Sequence, residues 1–301
     1  MSLASIKRRI WHHKSVGLLM REATNDDPHE IIRMKANAII RGAKAVGWKG
    51  PPFSPLELVS LLGIRYKESR SLFSAEAQLT PLEGNRLLLE FNPDRCPGRR
   101  NFSIMHEIAH TFFDDCYEMV HHRSSNRRAF DPQKEIEDLC QLGGANLLMP
   151  EEDFLEDLAN LPFSLRIIPH LAHRYGASPE AVARRMISLA DRPAALVFMS
   201  TRLKPVEMRS VKSNELQHEP KLRVLYSVRS DDFPVFVPEH KSASEGSCVY
   251  AVGSLTSFAT GTENWGIRGL GVCKVEAMAL SLPVLCGLDT PSVLALIQPA
   301  I

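Results

Sequence analysis

Apolar residues recur at helical spacing through most of the first 190 positions, and short β-branched runs replace them afterwards. Residues 27–47 carry apolar side chains at three- and four-residue intervals, which predicts an amphipathic helix. After a pair of prolines, Ser54 is expected to cap a short helix over residues 55–62. Strand-like segments follow, and residues 85–92 give the clearest strand pattern among them.

Two helices with one apolar and one polar side are predicted next. Asn101 is expected to cap the first helix, whose apolar stripes would be buried and would turn His106 and His110 toward a cleft. Asp131 is expected to cap the second helix, with Pro132 in its first turn. A Gly-Gly pair in this second helix would allow another helix to approach it closely.

The following segment, residues 151–192, is also predicted to be helical. Ser164 is expected to cap one helix and Gly176 to end it, before a further helix begins. Two helices across so short a turn resemble a helix-turn-helix, in which Arg184 and Arg185 would face DNA. The alternative is a helical hairpin packed against the preceding helices.

The pattern changes again near residue 193, where short β-branched runs alternate with polar loops. The predicted strands cover residues 194–200, 222–228, 235–238 and 247–252, and residues 276–282 fit either a strand or a helix. The sequence therefore predicts an α+β protein with a separate β-rich C-terminal domain. Its four predicted parts are residues 1–50, 51–150, 151–192 and 193–301.

Candidate chemistry is concentrated in the first of the two mixed helices. His106, Glu107 and His110 form an H-E-x-x-H motif. On a helix, residues at this spacing stand one turn apart on the same side, so both imidazoles can reach one Zn²⁺. Glu107 is then placed to take a proton from water at the metal. A surface helix with two solvated histidines is the alternative for the motif alone.

A catalytic zinc site needs a third protein ligand and an open position. Cys116 occupies the position at which the metzincin pattern has its third histidine, so that pattern does not apply. His121 and His122 lie in a basic, polar stretch that is typical of an exposed loop. A carboxylate from the second helix is the better candidate, and Glu135 and Glu137 point to different sides of that helix.

The order of these motifs is that of a known family. The H-E-x-x-H motif followed by Glu137 and by a Leu-Leu-Met-Pro ending at Pro150 resembles the ImmA/IrrE group of zinc metallopeptidases. The resemblance is strongest over residues 85–150. Gly144 departs from the family pattern, which usually has alanine there, and this affects packing more than chemistry.

The resemblance implies a zincin-like peptidase core. In such a core His106, His110 and Glu137 would hold one zinc ion per chain, and Glu107 would be the general base. The substrate implied is a helix-turn-helix transcriptional repressor whose cleavage switches on stress-response or mobile-element genes. Residues 85–92 would be the edge strand that holds the substrate, or else an ordinary core strand. The β-rich C-terminal part resembles the GAF-like module of some members.

Further side chains near the motif are candidates for supporting roles. Asp114 and Asp115 could orient the histidines, although an acidic helix end beside a basic loop is the alternative. The candidates for stabilising the oxyanion are Tyr117, His121, His122 and Arg100.

Composition limits the class of partner and the compartment. Thirty-six Lys and Arg residues nearly balance thirty-five Asp and Glu residues, so net charge indicates neither a nucleic-acid nor a membrane partner. No apolar run approaches the roughly 20 residues of a membrane span, and we expect no secretory signal. Cys248 and Cys273 could sense oxidants, and the alternative is that both are buried and inert. Scattered cysteines without C-x-x-C pairs favour a reducing, cytoplasmic compartment. The six cysteines are Cys96, Cys116, Cys140, Cys248, Cys273 and Cys286.

Two other functions fit the same motif. One is a DNA-binding or repressor-sequestering regulator whose zinc site is structural or vestigial, and the other is a zinc hydrolase of small molecules. Glu107 favours catalysis, because a purely structural zinc site does not need a general base. The sequence therefore predicts a cytoplasmic zinc endopeptidase.

Overall fold

A computed structural model describes residues 10–72, 76–117, 133–212, 218–252, 257–280 and 292–300. Within these residues the chain contains α-helices and two β-sheets, which confirms the predicted α+β class. The chain forms two compact units. The first comprises the described residues of 1–156 and 171–178, and the second those of 157–170 and 179–301. The boundary therefore falls inside the segment predicted to resemble a helix-turn-helix.

Two helices of the first unit begin at side chains that cap them. Asp27 accepts a hydrogen bond from the N–H of His29 at 2.9 Å, and Ser54 caps the short helix that follows, as predicted. The helices are α1 (Lys14–Ala23), α2 (Pro28–Ala45), α3 (Pro55–Leu61), α4 (Pro97–His110) and α5 (Gln133–Leu148). Two more, α6 (Glu151–Ala159) and α7 (Ile168–Tyr175), each contain a boundary between the units.

Helix α4 begins earlier than the sequence predicted. Its N-cap is Cys96 and its first residue is Pro97, whose missing N–H is tolerated in a first turn. Asn101 lies inside the helix, so its predicted role as the cap is wrong. The Asn101 Nδ2 instead donates a hydrogen bond at 2.9 Å to the carbonyl of Gly176, which is 75 residues away in sequence.

The sheet of the first unit contains β1 (Arg65–Glu68), β2 (Ala77–Leu82) and β3 (Arg86–Phe91) in the order β1-β3-β2. Strand β3 pairs in parallel with β1 and antiparallel with β2. The strand predicted from residues 85–92 is therefore central, which agrees with the alternative of a core strand and not with the edge strand that the resemblance implied. Among the described residues, β2 is the edge strand that packs against α4.

The second unit is built on a five-stranded antiparallel sheet, in agreement with the predicted β-rich C-terminal part. Its elements are α8 (Pro179–Ser188), β4 (Ala195–Arg202), α9 (Pro205–Lys212), β5 (Lys221–Arg229), α10 (Cys248–Ala251), β6 (Phe258–Asn264), β7 (Val272–Ala279) and β8 (Val293–Pro299). The strand order is β5-β4-β8-β7-β6. One face buries a core that includes Val197, Val275 and Ala295.

Three C-terminal predictions need correction or completion. Residues 247–252 are not a strand, because Ser247 caps α10 by accepting a hydrogen bond from the N–H of Val249. Residues 235–238 belong to no strand. The segment from residue 276 begins inside β7, so it is a strand as far as residue 279. None of the helices in the described ranges is long and apolar enough to cross a membrane.

Candidate metal centre

Helices α4 and α5 bring the predicted ligands together. His106 and His110 stand one turn apart on α4, and their exposed fractions are 2% and 1%. Glu137 faces both rings from α5. Its Oε2 lies 3.3 Å from Nε2 of His106, and its Oε1 lies 3.9 Å from Nε2 of His110. The two oxygens of the Glu137 carboxylate therefore face Nε2 of both imidazoles.

Two glycines allow α5 to lie this close to α4. A Cβ added to Gly144 would lie 2.9 Å from both the Cα and the N of His106, closer than real Cβ atoms approach backbone. A Cβ added to Gly143 would lie 2.7 Å from the Cβ of Ala109. The predicted role of this pair, to admit another helix, is confirmed, and the helix admitted is α4.

The donor set fits a zinc ion. Both ring nitrogens of His106 are buried and form no hydrogen bond within the part of the chain that the structure describes. Burying a polar atom in this way costs about 1–3 kcal/mol, and a metal ion bound to the lone pair of Nε2 would remove that cost for this nitrogen. Two ligands of tetrahedral zinc lie about 3.3 Å apart, which is the separation between His106 Nε2 and Glu137 Oε2, 3.3 Å.

Glu107 is buried beside these groups and is held by the first sheet. Its Oε2 accepts a hydrogen bond at 2.9 Å from the backbone N–H of Leu79 in β2. The potential ligand atoms of His106, Glu107 and His110 all lie within 4.8 Å of one another. Glu107 therefore presents a second carboxylate at the position that a metal ion would occupy. Glu137 also faces both Nε2 atoms, so two carboxylates lie near the imidazoles, and the ligand role of Glu137 stays a prediction.

The alternative ligand, Glu135, accepts hydrogen bonds from residues outside the site. Its Oε2 accepts hydrogen bonds from the backbone N–H groups of His12 at 2.8 Å and His13 at 2.9 Å. The Glu135 side chain is buried, and it lies in the first turn of α5. Its hydrogen bonds connect α5 to the segment that precedes α1.

Comparison with known proteins supports the resemblance seen in the sequence. Residues 66–186 match the family model described as the IrrE N-terminal-like domain, Peptidase_M78. Over these residues the chain is similar to the ImmA/IrrE family. The match extends beyond residues 85–150, where the resemblance was strongest. No curated protein matches the chain.

Several solved structures match the chain, and one of them shares the fold of most of it. It is a Mycobacterium tuberculosis transcriptional regulator that is 15% identical in sequence, with a TM-score of 0.54. The similarity covers 91% of this chain and 81% of that one. At this level of identity the likeness concerns the fold alone.

The two aspartates that follow α4 in the IrrE-like domain contact other helices. Asp115 Oδ2 accepts a hydrogen bond at 2.6 Å from the hydroxyl of Ser15 in α1. Asp114 Oδ1 lies 3.6 Å from Nζ of Lys35 in α2. These contacts favour the alternative stated for the pair, an acidic helix end, over a role in orienting the histidines.

The structure describes only some of the residues considered for stabilising the oxyanion in the IrrE-like domain. Arg100 donates from Nη1 to the carbonyl of Pro93 at 3.3 Å. The side chain of Tyr117 is outside the described part of the structure. Four further residues named from the sequence, and one cysteine, also lie outside the described residues: His121, His122, Asp131, Pro132 and Cys286.

Sequence reasoning missed two contacts that hold α4 of the IrrE-like domain. One is the hydrogen bond from Leu79 to Glu107, which a backbone amide makes without any sequence signal. The other is from Lys35, whose Nζ donates at 2.6 Å to the carbonyl of Phe112 just after α4. A cation at a helix C-terminus is favourable, and the basic residue on the buried side of α2 was the available hint.

The two arginines expected to face DNA are engaged within the second unit. Arg185 is buried, with 3% exposure, so its predicted role at a DNA surface is wrong. Arg184 pairs with Glu180 at 3.1 Å and stacks 4.7 Å from the ring centroid of Tyr226. Arg184 therefore contributes to packing within this unit, and Arg185 is not at the surface.

The two cysteines considered as oxidant sensors are poorly suited to that role. Burial, followed by a hydrogen bond with the Glu263 carboxylate, raises the pKa of the Cys248 thiol to about 12. Cys273 is buried, and burial also raises the pKa of its thiol. The thiolate is the form that reacts with oxidants, so both residues favour the inert alternative.

Proposed function

We propose that this chain is a zinc-dependent endopeptidase that cleaves a helix-turn-helix transcriptional repressor, and that the cleavage switches on stress-response or mobile-element genes. The observation that carries the proposal is the Glu137 carboxylate facing Nε2 of both His106 and His110. The family match supports peptidase chemistry at this position. The fold shared with a transcriptional regulator supports a role in gene regulation.

Each residue of the proposed site has its own chemical role. His106, His110 and Glu137 would hold the ion, which when bound would polarise the scissile carbonyl and lower the pKa of water to about 7. Glu107 would accept the proton of the attacking water and return it to the leaving amine. The amide of Leu79 keeps the Glu107 carboxylate beside the reacting groups through its 2.9 Å hydrogen bond.

Strand β2 is the proposed support for the substrate, in place of residues 85–92. It is the edge strand next to α4 among the described residues, and residues 80–82 are partly exposed. An extended peptide beside such an edge would be held by backbone hydrogen bonds. This arrangement would present the peptide bond next to Glu107.

The C-terminal unit is proposed to be a GAF-like sensor within a cytoplasmic protein. An open cavity of about 590 Å³ lies in this unit, beside α10 and β6. Its lining includes Tyr250, Thr260 and Glu263. An open cavity of this size, lined by polar and apolar surface in similar amounts, is compatible with a small signalling ligand.

The test compares wild type with Glu107→Gln on the helix-turn-helix repressor encoded nearest to this protein's gene. We expect a defined cut by zinc-loaded wild type and no cut by the variant, although both retain zinc by elemental analysis. Full cleavage by Glu107→Gln would remove Glu107 from the role of base. A zinc-loaded wild type that leaves this repressor intact would refute the proposed substrate.

A second candidate is a DNA-binding or repressor-sequestering regulator with a structural or vestigial zinc site. The observation that favours it is the fold shared with a transcriptional regulator. This candidate predicts that the repressor is bound but not cut, and that binding or a DNA mobility shift persists after zinc is removed with a chelator. The cleavage assay above separates the two candidates.

A further inference from the structure

The residues before and at the start of α1 contact both helical segments that adjoin the proposed metal centre. The N–H groups of His12 and His13 donate to one oxygen of Glu135, in the first turn of α5. The Ser15 hydroxyl donates to Asp115 at 2.6 Å, in the 3₁₀ turn that follows α4. We refer to His12, His13 and Ser15 with these two acidic partners as the N-terminal brace.

Two members of the brace, Glu135 and Ser15, are buried, whereas His13 and Asp115 are partly exposed and His12 is exposed. Glu135 is 6% exposed and Ser15 is 1% exposed, so water does not compete freely for their hydrogen bonds. Hydrogen bonds from amides to a carboxylate are charge-assisted and are roughly twice as strong as neutral ones. Removing Asp115 would leave the buried Ser15 hydroxyl without its acceptor, and losing the two amides would leave the buried Glu135 carboxylate without donors; either costs more than losing an exposed contact.

The brace holds the first turn of α5, where a small change in the position of the helix moves Glu137 relative to the two histidines. Glu137 lies only two residues beyond Glu135, at the start of the second turn of α5. The close approach of the two helices at Gly144 is almost two turns further on, opposite His106. The direction in which α5 begins therefore determines how far the Glu137 carboxylate lies from the two imidazoles.

We propose that the N-terminal brace sets the metal affinity of this centre, with Glu135 as a residue that positions Glu137. The inference rests on the proposed metal site. Because coupling between two sites is reciprocal, a metal ion bound at Glu137 must stabilise the brace by the same factor as the brace strengthens metal binding. The N-terminal segment is thereby coupled energetically to the centre, although none of its residues is a ligand.

The first test measures the Zn²⁺ dissociation constant of the full chain by competition with a chromophoric chelator. We expect Glu135→Ala to weaken binding by about tenfold or more, since it removes the shared acceptor of the His12 and His13 amides and releases the first turn of α5 from them. Glu135→Gln should restore most of the affinity. Both amides donate to the same oxygen, Oε2, and glutamine keeps one carbonyl oxygen there.

The matched control is Asp27→Ala, which also removes a carboxylate that accepts a backbone amide, here at the start of α2. We expect this variant to lower the melting temperature but to keep the wild-type zinc affinity. An equal loss of affinity in Asp27→Ala and Glu135→Ala would mean that general destabilisation is responsible, and it would overturn the proposal. Unchanged affinity in a folded Glu135→Ala would overturn it as well.

The second test needs no change to the brace. Hydrogen–deuterium exchange of the His12 and His13 amides is measured in the wild-type chain with and without zinc. Slower exchange with zinc, lost in Glu137→Ala, is the expected result, and equal exchange with zinc bound would overturn the proposal. A wild-type chain that binds no zinc would instead refute the metal site of the proposed function, and the brace proposal with it.

Discussion

Glu135 and Glu137 are close in sequence, yet their carboxylates reach different partners. On a helix, residues two apart point to nearly opposite sides, and α5 directs Glu137 toward the two histidines. Glu135 instead accepts the amides of His12 and His13. The direction in which a glutamate projects from α5 therefore determines its partners, since both residues have the same side chain.

We predict that Glu137→Ala greatly reduces the amount of zinc bound, because the two histidines alone leave the ion with too few protein ligands. The measurement is the zinc-to-protein ratio by elemental analysis after gel filtration. Asp138→Ala is the control, because Asp138 is more exposed and pairs with Lys134 at 3.0 Å. Full zinc occupancy in Glu137→Ala would contradict its assignment as a ligand.

We also predict that Cys248 reacts slowly with iodoacetamide at pH 8. Its thiol pKa is raised to about 12, so the thiolate fraction is small at pH 8 and increases as the pH approaches 12. Cys96 is exposed and serves as the internal comparison in the same chain. Peptide mass spectrometry should find Cys96 modified first, and the reverse order would contradict the prediction.

At the scale of elements, the spacing between α4 and α5 controls the site. Glycine at position 144 lets the α5 backbone lie against the backbone of His106, and the family pattern usually has alanine at this position. Because the helices are already in contact here, an added methyl group must move one of them or shift local side chains. Packing at one glycine is thereby linked to the distance between Glu137 and His106.

Gly144→Ala is accordingly expected to lower stability by about 1–3 kcal/mol, as overpacking does, and to weaken zinc binding. Gly42→Ala is the matched control, since a Cβ at Gly42 meets nothing within 4 Å. Within a helix that change should stabilise the chain by about 0.4–1 kcal/mol. Chemical denaturation and chelator competition measure both effects, and equal behaviour of the two variants would contradict the packing argument.

At the scale of the whole molecule, charge provides little attraction for nucleic acid. The formal net charge is +1, because positive and negative side chains nearly balance. Arg184 and Arg185 are held within the second unit by ring stacking, ion pairing and burial. Non-specific DNA binding depends on exposed cations that neutralise phosphates, and these two arginines are poorly placed to do so.

The chain is therefore expected not to shift a random duplex DNA in a mobility assay at physiological salt. The control is Arg184→Glu, which removes one stacked cation and should leave the result unchanged. A shift by the wild type that weakens steeply with added salt and is lost in Arg184→Glu would contradict this prediction. That outcome would favour the DNA-binding candidate.

Features that depend on neighbours along the chain can be predicted from the sequence alone. The caps at Asp27, Ser54 and Ser164 follow from side chains that accept amides two or three residues away. The one-turn spacing of His106 and His110 likewise depends only on helix geometry. For this reason the α+β class, most helix starts and the family resemblance were all accessible from the order of the amino acids.

Tertiary packing, in contrast, determines which groups meet across long stretches of chain. The amide of Leu79 reaches Glu107 across 28 residues, and that of His12 reaches Glu135 across 123. The order of the strands, which makes β2 the edge among the described residues, is a property of the same kind. Such contacts depend on how whole elements pack, and no local pattern of side chains encodes that packing.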